Sequence, residues 1–226
     1  MSPERKSRPD QDDVQAVMQK FVRDFPDVVL IGGWATYIRT RAAKSHDIDV
    51  IVDHATLTKL NAKFQLSPSH HTSGRKFELK VEGVGVDVYP VYQSKLGQRL
   101  QIPVEVLMNH TEKIDRIRVL STEAQFVAKM AALLDRQDTL PGEKDRREMW
   151  ELINTDRGVD FNVVAGILRA GGWEGRRQSE LLDQTFDLLG ETADLSKQAR
   201  GTLRLNRAHA LDAARSVEGR DQELER

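Results

Sequence analysis

No cysteine occurs among the 226 residues, so there is no disulfide framework and no thiolate metal site, and a reducing, cytoplasmic setting is expected. No apolar run approaches the roughly 20 residues that cross a bilayer, so no membrane partner is expected. Met1 to Asp12 are polar and charged, not the basic-then-apolar order of a secretion signal, and residues 1–11 read as a flexible leader. An excess of one charge sign is also missing: 34 Lys and Arg face 35 Asp and Glu, for a formal net charge of −1. That balance excludes a globally basic nucleic-acid binder and leaves local basic patches. There is no internal repeat and no low-complexity tract. What remains is a chain that is 39% hydrophobic and long enough for one large domain or two small ones.

The apolar pattern divides the chain near residue 120. Val14, Val17, Met18, Phe21, Val22 and Phe25 recur at helical spacing until Pro26 stops them. Val28 to Ile31 reads as a buried strand entering Gly32-Gly33, with a short helix over Trp34 to Arg41. Asp47 to Val52 alternates acidic and branched residues, the period of a half-buried strand. A helix bearing Leu57, Leu60 and Phe64 follows, then a loop from Ser67 to Gly74. Phe77 to Val81 and Val84 to Val88 form a hairpin about Glu82-Gly83. Val104/Val106 and Ile117/Val119 suggest two more strands. After Ser121 the period becomes helical: a capped helix runs through Leu134, Pro141-Gly142 breaks it, and further helices cover Trp150–Ile153, Phe161–Leu168, Leu181–Leu189 and Leu195–Ala214. The expected domains are residues 12–120, of mixed α and β structure, and a helical domain over 121–226.

The chemistry concentrates in Val28 to Val52. A strand delivers Gly32-Gly33 to a helix N-terminus, where backbone N–H groups can meet a phosphate closely. Asp47 and Asp49 stand two apart on a strand, so both carboxylates leave one face while Ile48 and Val50 enter the core. Asp87 is out of phase with Val86 and Val88 and can point to the same place if the two strands are neighbours. Three converging carboxylates repel unless neutralised, and magnesium suits them because it takes carboxylate oxygen and leaves positions for substrate phosphates.

Gly32-Gly33, then Asp47-Ile48-Asp49, then a later strand-borne Asp87 together resemble the nucleotidyltransferase superfamily with the polymerase-β-like fold. That resemblance covers about residues 28–90. It implies an α+β fold, a mixed sheet flanked by helices and followed by a C-terminal helical domain. It also implies two Mg2+ ions on Asp47, Asp49 and Asp87, with Asp87 as general base and the glycine pair holding the triphosphate of a bound NTP. Lys129, Asp135-Arg136 and Lys144-Asp145 are similar to the fourth motif of the AbiEii-like branch, the toxins of type IV toxin–antitoxin systems, and their MenT relatives. This second likeness runs to about residue 153. It implies Lys129 in the catalytic set, Arg136, Lys144 and Asp145 in the nucleotide-binding set, a tRNA acceptor and a cognate antitoxin protein. Trp34 and Lys44 complete the nucleotide-binding candidates.

Two departures from the family stand out. Trp34 replaces the Ser or Thr that many members carry after the glycines, although Gly-Gly-Trp occurs in aminoglycoside and lincosamide adenylyltransferases. His46 before Asp47 is not part of the pattern. An antibiotic or protein acceptor, or a catalytically silent binding partner, are the alternatives. Arg39, Arg41, Lys44, Arg75, Lys76, Arg116, Arg118, Arg146, Arg147, Arg176, Arg177, Arg200, Arg204 and Arg207 are candidate RNA contacts. His70-His71 lacks a third ligand nearby and reads as a plain loop.

Overall fold

The structure is a computed structural model that describes residues 9–69, 76–192 and 195–216. His70-His71, Arg75 and most of the expected leader lie outside the described residues. The first helix, α1 (Gln11–Asp24), is capped by Asp10, whose carboxylate accepts from the N–H groups of Asp12 and Asp13. The helix thus takes in Gln11, the last residue of the expected leader. Val14, Val17, Met18 and Phe21 form its buried stripe.

Next come β1 (Val29–Ile31), α2 (Gly32–Thr40), β2 (Ile48–Val52), α3 (His54–Lys63), β3 (Ser67–Ser69), β4 (Lys76–Val81) and β5 (Val84–Pro90). The expected loop at Ser67 is corrected: Ser67–Ser69 pair antiparallel with Lys76–Glu78 and extend the sheet edge. A small ladder joins β6 (Lys95–Leu96) to β7 (Ile102–Pro103), and α4 (Val104–Met108) follows. The expected strand at Val104/Val106 is therefore a helical turn, in which Val104 and Leu107 are the buried pair at helical spacing. A hairpin of β8 (Thr111–Ile114) and β9 (Ile117–Leu120) closes this half.

Seven strands form one mixed sheet in the order β3-β4-β5-β2-β1-β9-β8, with β2 parallel to β5 and antiparallel to β1. Alternation along the strands separates two cores. Leu30, Ile48, Val50, Val86 and Val88 face α1 and α2 on one side. Val29, Ile31 and Ile51 face the second half of the chain on the other.

That half comprises α5 (Thr122–Arg136), α6 (Leu140–Ile153), α7 (Phe161–Ala170), α8 (Gly175–Gly190) and α9 (Lys197–Arg215). Ser121 caps α5, which ends at Arg136, and Thr139 caps α6 with Pro141 in its first turn, so the proline opens the next helix and the break lies before it. The α5 helix is central and buried along most of its length, because the sheet lies on one side and α6 and α7 on the other. A mixed sheet flanked by helices is thus observed, as the sequence leads one to expect. Among the described residues no helix is long and apolar enough to cross a membrane.

Candidate active site

The sheet carries acids where it should carry apolar residues. On the face that presents Ile31 and Ile51, β2 places Asp49 and β5 places Asp87, and the parallel register sets these two directly side by side. Asp47 lies just before β2, and its Oδ1 accepts a hydrogen bond from Ser45 Oγ at 2.7 Å. All three acids line one cavity of about 870 Å3, together with Gly32, Gly33, Lys129, Arg136, Lys144 and Asp145.

The glycine turn is explained by what presses on it. Gly32 has φ +65°, and a side chain there would overlap the Asp49 carboxylate. A Cβ at Gly33 would stand 2.8 Å from Ser45 Oγ and 3.3 Å from Lys144 Nζ. The α2 N-terminus has no side-chain cap, so its N–H groups remain available at the cavity wall. Gln125, fully buried on α5, fixes the turn from below by donating to the Gly32 carbonyl at 2.8 Å and to Thr36 Oγ1 at 3.0 Å.

Electrostatics divide the cavity into two walls. On the acidic wall, burial pushes the Asp49 carboxyl up to about 7, with the Asp47 and Asp87 charges adding to the effect. Burial likewise raises Asp87, against the lowering effect of Lys76, whose ammonium lies 2.6 Å from Asp87 Oδ2. Tyr89, next on the same face of β5, is raised well above the ordinary phenol by burial and then by these acids.

On the basic wall, the Lys129 ammonium is buried and tied to Asp145 at 3.1 Å and to Glu148. Burial acts to lower its pKa, but the two carboxylates outweigh that and hold it above the ordinary lysine value. Arg136 Nε donates to the other oxygen of Asp145 at 2.7 Å, and Lys144 lies 3.7 Å from Glu148. The side chains of Arg136 and Lys144 stay 45% and 39% exposed, so both can present charge to the cavity, whereas Lys129 at 7% is enclosed by its own counter-ions.

Two candidates fall elsewhere. Trp34 is fully buried in the opposite core, edge-on to the Tyr37 ring at 5.5 Å, and does not line the cavity. α2 turns this side chain away from the acids into the space between sheet and α1. Lys44 pairs with Asp12 at the start of α1 and is also not a lining residue. Asp135 clamps a turn, accepting from the N–H groups of Gln98 and Arg99 at 2.7 and 2.9 Å. Several candidate RNA-binding arginines are engaged by acids, among them Arg39 with Glu112, Arg41 with Asp115, and Arg207 with Asp183 and Asp187.

Sequence reasoning missed Ser45, Gln125 and Glu148, and named Lys76 only as a candidate RNA contact. Glu148 carried the one available signal: it stands four residues after Lys144 on a helix, which ordinarily marks a surface pair.

Among the described residues no group of three or more His, Asp or Glu side chains is drawn together as a finished metal cage, since Lys76 engages Asp87 and Ser45 engages Asp47. The donor chemistry nonetheless fits a divalent cation. It is carboxylate oxygen throughout, and burial, with the Asp47 and Asp87 charges adding to it, holds Asp49 well above its ordinary range. Asp47, Asp49 and Asp87 are the residues that could hold it.

No protein-family model and no curated protein matches the chain. Solved structures are similar to it at low identity. ANT(2″)-Ia in complex with adenylyl-2″-tobramycin is 14% identical, with a TM-score of 0.47, over 72% of this chain and 97% of that one. JHP933 from Helicobacter pylori is 12% identical, with a TM-score of 0.47, over 95% and 96%. An antigenic nucleotidyltransferase-like protein from Paracoccidioides brasiliensis is 15% identical, with a TM-score of 0.45, over 86% and 91%. No family membership follows from likenesses of this degree.

Proposed function

We propose that the chain transfers a nucleoside monophosphate from an NTP to a hydroxyl acceptor and releases pyrophosphate. The observation that carries this reading is one cavity with Asp47, Asp49 and Asp87 on one wall, Arg136 and Lys144 on the other, and Gly32-Gly33 between them. An acidic wall suits cations and a basic wall suits phosphates, and metal-assisted phosphoryl chemistry needs both within one ligand length.

Magnesium, when bound to Asp47, Asp49 and Asp87, would offset the charge on the reacting phosphate and its leaving group. Arg136 and Lys144 would hold the outer phosphates, and the free N–H groups at the start of α2 would hold an oxygen between them. The acceptor oxygen would attack the α-phosphorus as the bond to the bridging oxygen breaks, and pyrophosphate would leave with that electron pair. Asp87 would take the hydroxyl proton. Its carboxyl sits above the ordinary range through burial, against the lowering effect of Lys76, which makes it a stronger base than an exposed carboxylate. Lys129 would act through Asp145 and Glu148, as a positioning residue for the basic wall.

The acceptor we favour is a tRNA 3′ end, in the cytoplasm, with the chain as the toxin of a toxin–antitoxin pair and an antitoxin protein as partner. The support is the likeness of the Lys129-to-Asp145 motif to AbiEii-like toxins, together with the cavity shared by Lys129, Arg136, Lys144 and Asp145. In this reading residues 12–120 supply the acids and residues 121–226 supply the basic wall.

Incubation with labelled NTPs, Mg2+ and total tRNA tests the proposal. Label is expected on tRNA, dependent on Mg2+ and lost in the Asp47→Ala/Asp49→Ala variant. Label that ignores either condition rules against the mechanism. Expression separates acceptors: growth arrest fits tRNA, whereas raised aminoglycoside tolerance moves the chemistry to an antibiotic. Calorimetry without Mg2+-dependent NTP binding would leave a silent binding domain.

A further inference from the structure

The cation held closest to the acidic wall is one that the chemistry above does not use. Lys76 opens β4, two residues before Glu78, and Glu78 is the register partner of Asp87. Alternation puts Lys76, Glu78 and Asp87 on one face of the hairpin. The ammonium lies 2.6 Å from Asp87 Oδ2 and 3.4 Å from Glu78 Oε1, so it has two carboxylate seats within reach of one flexible stem. Its side chain is 12% exposed, Asp87's is 23% and Glu78's is 51%. The inner seat is therefore partly dehydrated and the outer one is open to water. A short charge-assisted pair at the inner seat gives Asp87 the positive charge that a divalent cation would otherwise supply.

Resting on the nucleotidyl-transfer reading, we propose that Lys76 is an internal competitor of the divalent cation: it holds Asp87 in the cation-free chain and yields it, moving to Glu78, when a cation binds. The competition lowers affinity for free metal, because binding must first separate the Lys76–Asp87 pair. It favours metal that arrives with the negative charge of a triphosphate, which adds attraction to the basic wall. Lys76 is in this sense a specificity-determining residue for metal–nucleotide over bare metal.

Mn2+ titration followed by electron paramagnetic resonance of the free ion reads this without turnover. Lys76→Met is expected to bind Mn2+ roughly tenfold more tightly than the unmodified chain, since one competing charge is gone. Lys76→Arg keeps that charge and is expected to bind no more tightly than the unmodified chain. Glu78→Gln removes the outer seat and is expected to weaken Mn2+ binding by about threefold. Equal or weaker binding by folded Lys76→Met overturns the inference while leaving the cation site intact. If Lys76→Met does not fold, Glu78→Gln decides: weaker binding supports the inference and unchanged binding overturns it. Absence of Mn2+ binding in every form, with and without NTP, overturns the cation-site reading and this inference together.

Discussion

The two walls of the cavity hold similar numbers of charges and treat them in opposite ways. On the helical wall each buried charge has a partner: Asp145 serves Lys129 and Arg136, and Glu148 serves Lys129 and Lys144. On the sheet wall three carboxylates gather with Lys76 as the close cation, and Asp49 is pushed up to about 7. A charge set that is complete in itself is a scaffold. One that is left short of counter-charge is strained until something positive arrives, and that is what a cation site requires.

The contrast makes the loss of a carboxylate act in opposite directions on the two walls. Asp145→Ala leaves Lys129 with Glu148 alone and takes the acid partner from Arg136 in partly dehydrated surroundings, and is expected to cost about 3–5 kcal/mol, measured by urea unfolding. A loss within experimental error would show that the basic wall is not internally balanced. The acidic wall should behave in the reverse sense. Asp49 ordinarily ionises near 3.8 and in the fold near 7, so the folded chain keeps a proton that the unfolded chain releases. That stabilisation is fully present below about pH 4 and is lost as pH rises through about 7. Unfolding midpoints of the metal-free chain should therefore fall between pH 5 and pH 8. Asp49→Asn should flatten the profile and raise stability at the alkaline end, and Mg2+ should restore the unmodified chain there. The smallest effect on the site is expected from Trp34→Phe, which trims the opposite core. Stability should drop by about 1–2 kcal/mol while NTP affinity stays within about twofold, by thermal melting and calorimetry.

The acids were legible because strand alternation and glycine turns are local signals. Asp47 and Asp49 stand at a spacing of two, and Asp87 breaks the phase of valines in a hairpin marked by Glu82-Gly83. The hairpin of β8 and β9 was harder to see. Its two-residue turn, Asp115-Arg116, has both residues at positive φ (49° and 68°) with no glycine to announce it. Val104 and Val106 resembled a strand because two branched residues two apart fit that period, while the helical partner Leu107 decided the outcome. Trp34 followed the glycines in the chain yet faces the other core, since one step along α2 rotates a side chain by about 100°.

Alternating apolar and acidic residues dictate which face of each strand is wet. No long-range information is needed for that, and so the three carboxylates and the glycine turn could be found from their order along the chain. Pairing distances were beyond such reading. Lys76 meets Asp87 because β4 folds back on β5, and Glu148 leaves the surface because α6 packs on α5. Whether a charge is spent on a neighbour or kept for a ligand depends on burial and on contacts between residues far apart in sequence. Those are properties of the packed molecule.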